Sequence, residues 1–171
     1  MYGFFCGING SFELREDIWF NFFLDISKRF SKIQTRKLPI LGEPENFGAV
    51  TGSVSIDPGV TVLFSPSLSF RDLRDGFGLQ VQYLFGAHAR DLWDDRRDNK
   101  TIATNFSTIH SLSQWKAEYL LFNVCYDFGR VSKEKKIDTV FTVSWDVPVS
   151  IFKPKDVAKT YRIGLSIEFH F

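Results

Sequence analysis

The residues with the best claim to chemistry are a histidine, two serines and an acid in one short stretch: His110, Ser111, Ser113 and Glu118. A nucleophilic hydroxyl needs an imidazole within hydrogen-bond reach and a carboxylate to orient that ring. Here the histidine falls in an irregular segment rather than on a strand, and the group is read as non-catalytic. The run from Arg90 to Asp98 carries four acids and three bases. A calcium loop wants acids at alternate positions, a glycine turn and a closing glutamate. This run has none of these, so it reads as an exposed loop that pairs its own charges. Cys6 and Cys125 lack metal or redox spacing and would point to opposite faces of a sheet, which predicts two unpaired thiols. His88 and His170 read as rim residues. No catalytic group, metal or cofactor is expected.

The elements that carry these residues alternate with a period of two. Tyr161, Ile163, Leu165, Ile167, Phe169 and Phe171 share one face of the last segment, and Arg162, Gly164, Ser166, Glu168 and His170 share the other. That is the pattern of a β-strand with one apolar and one polar side. The same rhythm runs through Met1–Leu14, Ile18–Ser27, Val60–Arg71, Phe77–His88, Tyr119–Phe128 and Ile137–Val147. These segments predict seven strands, with Val50–Ile56 as a doubtful eighth. Pro66 predicts a bulge or a local edge. Residues 28–59 and 89–114 read as long loops, and no helix of note is expected. The whole of 1–171 is taken as one β domain.

Lys plus Arg is 21 against 20 for Asp plus Glu, so there is no electrostatic case for nucleic acid. Phe is the outlier, 19 residues against a single Met, and that much aromatic surface must be hidden in a core, an interface or lipid. No window approaches the roughly 20 apolar residues of a membrane helix, whereas strands of about 9 to 11 residues suit a tilted bilayer crossing. Soluble strands average nearer five or six residues. The connections alternate short and long: 15–17, 28–59, 71–76, 89–114, 129–136 and 148–159. Phe12, Phe20, Phe70, Phe77, Phe128 and Phe171 fall at the short-connection ends, as an interfacial aromatic girdle would.

Gly164, Ile167, Phe169 and Phe171 resemble the C-terminal assembly signal of bacterial outer-membrane β-barrels, a glycine followed by alternating hydrophobics and a terminal aromatic. The resemblance implies an all-β fold, an antiparallel up-and-down transmembrane β-barrel with seven to eight strands in this chain. It also implies insertion in the outer-membrane bilayer, with the barrel assembly machinery recognising the last strand and homo-oligomers as an option. Short connections would face the periplasm and long ones the outside. The chain opens without a basic region or cleavage site, which reads as a mature form or a fragment. An odd strand count points to an upward strand ahead of Met1, or else to 50–56 as the eighth strand.

The polar phase would then line a lumen with Asn21, Asp25, Arg71, Gln80, Gln82, His88, Asn123, Asp127, Arg162 and Glu168, and also His170. Pro44-Glu45-Asn46-Phe47-Gly48 resembles the acidic constriction-loop motif of general porins with an inserted Asn. That resemblance implies Glu45 at a constriction, facing Arg71 or Arg162. The expected function is a porin-like passive channel for small polar solutes or ions, and not an enzyme. The alternatives are a closed structural or adhesive barrel with partner-binding loops, a lipid-modifying barrel enzyme, and a soluble lipocalin-like carrier.

Overall fold

A computed structural model describes residues 2–44, 49–74, 76–131, 138–152 and 160–170. In chain order the strands are β1 (Gly3–Arg15), β2 (Ile18–Arg29), β3 (Lys32–Pro39), β4 (Ala49–Asp57), β5 (Thr61–Arg74), β6 (Phe77–His88), β7 (Leu92–Asp95), β8 (Trp115–Asp127), β9 (Asp138–Pro148) and β10 (Arg162–His170). Two short helices, α1 (Ser107–Ser113) and α2 (Phe128–Val131), lie between them. No described helix is long and apolar enough to cross a membrane.

The protein is all-β and antiparallel. Seven strands form one sheet in the order β1-β2-β5-β6-β8-β9-β10, and β3-β4-β7 form a second. Once the small sheet is set aside, every neighbour in the large sheet is also the next strand along the chain, an up-and-down meander. The sheet is open, with β1 and β10 as its edges.

Register carries the sequence pattern across the whole sheet. One transverse row reads Ser11, Asn21, Ser67, Gln82, Leu121, Asp146, Arg162. The row one residue away reads Phe12, Phe20, Leu68, Val81, Phe122, Trp145, Ile163. Because side chains alternate between faces, the two rows lie on opposite sides. The second row starts near the end of β1 and emerges at the second residue of β10. The strands are therefore staggered, as they must be when a sheet is tilted about an axis.

The large sheet does not bury its apolar face. Ile163 is 76% exposed and Leu165 71%, and Phe4, Ile8 and Phe12 are also exposed. The buried apolar cluster lies in the small sheet, where Leu38, Val54 and Ile56 pack with Val50, Trp93 and Phe106. Phe22, Val81, Phe122 and Leu165 do not join it.

Several expectations need correction. Residues 28–59 and 89–114 are not plain loops: they hold β3, β4, β7 and α1. The stretch 50–56 does form a strand, but β4 pairs with β3 and β7 and is not an eighth strand of the large sheet. The first hairpin is therefore not inverted, and β2 pairs directly with β5. Of the two outcomes expected at Pro66, the bulge is absent and the local edge is present. Pairing of β5 with β6 lapses at 65–66 and resumes in the same register, because a missing N–H removes a bond without adding a residue. The irregularities sit at Glu13/Arg15 and Phe70/Arg74, beside the short turns.

Candidate functional site

The polar face of the large sheet is the site, and its cross-strand hydrogen bonds join neutral amides and hydroxyls. Ser11 donates to Asn21 Oδ1 at 2.6 Å, and the Asn21 amide reaches Ser69 Oγ at 3.4 Å. Gln82 donates to Ser65 Oγ at 2.7 Å, and Asn123 to Gln80 Oε1 at 3.2 Å. Each bond crosses from one strand to the next, so the amides form rungs rather than separate patches. Arg71 lies over the Trp19 ring at 5.0 Å, a cation–π contact on the same face.

This face is concave. One cavity of about 520 Å³ touches Asn21, Ser69, Gln80, Asn123 and Thr142, which sit on five successive strands. In a flat sheet the outer two of five strands would be about 19 Å apart at a spacing of about 4.8 Å. A hollow in touch with all five, on a face where Ser65 and Ser67 are only 6% and 7% exposed, indicates that the sheet curls with the polar phase inside the curve.

The register places nine of the ten expected lumen residues on that one face, Asn21, Asp25, Gln80, Gln82, His88, Asn123, Asp127, Arg162 and Glu168, and Arg71 joins them through its contact with the Trp19 ring. Arg162 is directly opposite Asp146. Asp127 accepts the Gly129 N–H at 3.0 Å at the end of its strand. Asp25 Oδ1 is buried with no hydrogen-bond partner among the described residues. Glu45 and Phe171 lie outside the described residues, as does the side chain of His170. Gly164, Ile167 and Phe169 are on β10, with both apolar side chains exposed on the apolar face.

The rim of long connections holds a second group that the sequence did not flag. Thr61 and His88 are register partners, and Thr61 Oγ1 is 2.8 Å from His88 Nδ1. His88 Nε2 is 2.9 Å from Asp91 Oδ1, which also accepts the Gly59 N–H at 2.7 Å. A carboxylate accepts here, so Nε2 carries a proton, and in the neutral ring Nδ1 then accepts from the threonine hydroxyl. The His88 ring stacks on Trp115 with centroids 6.0 Å apart. Only strand pairing brings Thr61 to His88, so no local spacing could have revealed it.

The serine-histidine group is not assembled for catalysis. His110 Nε2 accepts the Trp93 N–H, Ser113 donates to the His110 carbonyl, and Ser111 donates to the Thr108 carbonyl. Glu118 is turned elsewhere, toward the N–H groups of Ile151 and Phe152. In the charged run, Arg96 pairs with Asp94 and Arg97 with Asp95, as a self-paired segment should. The Arg97–Asp95 pair is well covered, with side chains 8% and 14% exposed. Hydrogen bonds from Arg97 hold the Asp95 carboxyl well below the usual carboxylate range. Both cysteines are free thiols.

No protein-family model, curated protein or solved structure matches this chain.

Proposed function

We propose that this chain forms the wall of an outer-membrane β-barrel and that its polar concave face lines a path for small polar solutes or ions. One observation carries the reading: the curled sheet keeps its amide rungs inside the curve and leaves its apolar phase uncovered outside. A soluble domain this size hides its apolar phase and wets its polar one. Lipid on the convex side and water on the concave side remove that inversion. A wet lumen also supplies partners for Asp25 Oδ1, which a dry core would leave unsatisfied. Aromatic residues at the short-turn rim fit the girdle role: Phe12 faces Phe20, Phe77 faces Tyr126, and Phe128 packs edge-on to Tyr126 at 4.7 Å.

Closure follows from strand direction. The edges β1 and β10 both run toward the short-turn rim, since an odd number of antiparallel strands separates them by an even number of reversals. An antiparallel closure needs an odd number of further strands between these edges. A second copy inserted in the same orientation cannot join edge to edge, because β10 and β1 would meet parallel. One added strand gives a barrel of about eight, whose lumen side chains fill, and three or more open it. In the open case the protein is a porin-like channel. In the closed case it is a structural or adhesive barrel, and the folded β3-β4-β7 platform is the feature that favours partner binding.

Planar-bilayer recording on the refolded protein tests the channel. Discrete conductance steps are expected for the open wall. A protein that inserts without conducting leaves the closed barrel, and one that stays monodisperse and monomeric without detergent refutes both.

A further inference from the structure

Where β2 passes into β3 and β6 into β7, a cavity of about 400 Å³ opens beside the Thr61–His88–Asp91 chain. Arg29, Lys32, Gln34, Thr61, His88 and Trp115 line it. Neither the Arg29 nor the Lys32 side chain makes a hydrogen bond or ion pair among the described residues, whereas neighbouring Lys28 is neutralised by Asp57 at 3.0 Å. Among the described residues the one acid in the wall, Asp91, is already engaged by the Gly59 N–H and His88. Among the described residues the pocket therefore offers two free cations, the amide N–H groups of Gln34, whose Oε1 accepts from Arg36, and an indole held in place by its stack on His88.

We infer that this cavity binds small organic anions, a carboxylate or phosphate group held between Arg29 and Lys32 with any flat apolar portion laid against Trp115. A guanidinium forks onto two oxygens of such a group, and an ammonium adds a point charge beside it. The ring face of an indole suits a planar body. A divalent cation is disfavoured by the same two charges. A bare hydrolase reading of the Thr61–His88–Asp91 chain is not adopted, because the Gly59 N–H nearest the chain is spent on Asp91 and offers nothing to a developing oxyanion. The proposal rests on the polar face being open to solutes, but its test does not need conduction.

Inorganic phosphate alone and benzoate alone are titrated into the detergent-solubilised protein, with tryptophan emission as the readout. Trp115→Phe identifies the part of the signal that comes from the site. Saturable binding of both probes is expected, with benzoate giving the larger change at Trp115. Arg29→Gln with Lys32→Gln should weaken both probes by on the order of tenfold or more, as loss of charged hydrogen bonds does. Arg15→Gln with Arg74→Gln removes the same charge from the opposite, short-turn rim and should leave affinity unchanged. Equal weakening in the two double variants would mean bulk charge screening and would overturn the site, as would the absence of saturable binding by either probe. Binding without conductance sinks the channel and keeps the site, and conductance without binding does the reverse.

Discussion

Glu118 stands in the apolar phase of β8, opposite Phe85, yet it is only 2% exposed. Its carboxylate accepts the N–H groups of Ile151 and Phe152 at 2.8 and 2.9 Å and the Tyr83 hydroxyl at 3.3 Å. The Phe152 ring packs edge-on to Phe85, the register partner of Glu118, at 5.9 Å. An acid on the apolar face is thus tolerated because the backbone of Ile151 and Phe152, after β9, satisfies its carboxylate. Glu118→Ala should leave two N–H groups without partners, at a cost of about 1–3 kcal/mol for each that stays buried. Faster proteolysis at 149–152 is the expected readout, with Glu118→Gln intermediate. A second residue-scale test concerns Asp95. Its folded-state pKa is depressed, so its contribution is fully present above the ordinary carboxylate value and fades as pH falls below about 4. Hydrogen-exchange protection in the small sheet, taken relative to the intrinsic rate at each pH, should fall in acid for the native protein, and Asp95→Asn should flatten that dependence. Gly52 belongs to the same group. A methyl there would run into the Arg97 side chain, so Gly52→Ala should loosen the pair.

At the scale of elements, the two sheets answer to different forces. The small sheet has a dry cluster, and Leu38→Ala should cost it about 2–5 kcal/mol while the far-UV signature of the large sheet persists. The large sheet depends on its surroundings. Leu165→Lys on the apolar face should cost about 2–4 kcal/mol of membrane insertion if it lies near the midplane, whereas Ser166→Lys on the polar face should insert normally. Urea titration in lipid vesicles reads both, and equal losses would contradict the assignment of faces. The long strands were legible from the sequence because one periodicity runs through each of them. β3 was not: in Lys32–Pro39 only Leu38 is buried, and the strand exists through its pairing with β4. β7 is four residues long inside a charged run and follows β4 in the same way. The ten lumen candidates were legible as a phase. Thr61, Asp91 and Trp115 were not, because their association depends on cross-strand register and on the corner after β6.

For the whole molecule, the proposed barrel requires that the apolar side of the sheet, and not the polar one, meet hydrocarbon. Two native tryptophans mark the two sides. Trp145 is on the apolar row, 5.9 Å from Phe122, and Trp19 is on the polar face under Arg71. Detergent dependence, an aromatic rim and tilted strands would all follow from the apolar side facing lipid. None of them reports the direction itself. The direct measurement is quenching by brominated acyl chains in vesicles, using variants that keep only Trp145 or only Trp19. Strong quenching of Trp145 with Trp19 nearly unaffected is the predicted result. Quenching of Trp19 in preference to Trp145, or of neither in a protein that co-floats with the vesicles, would contradict it.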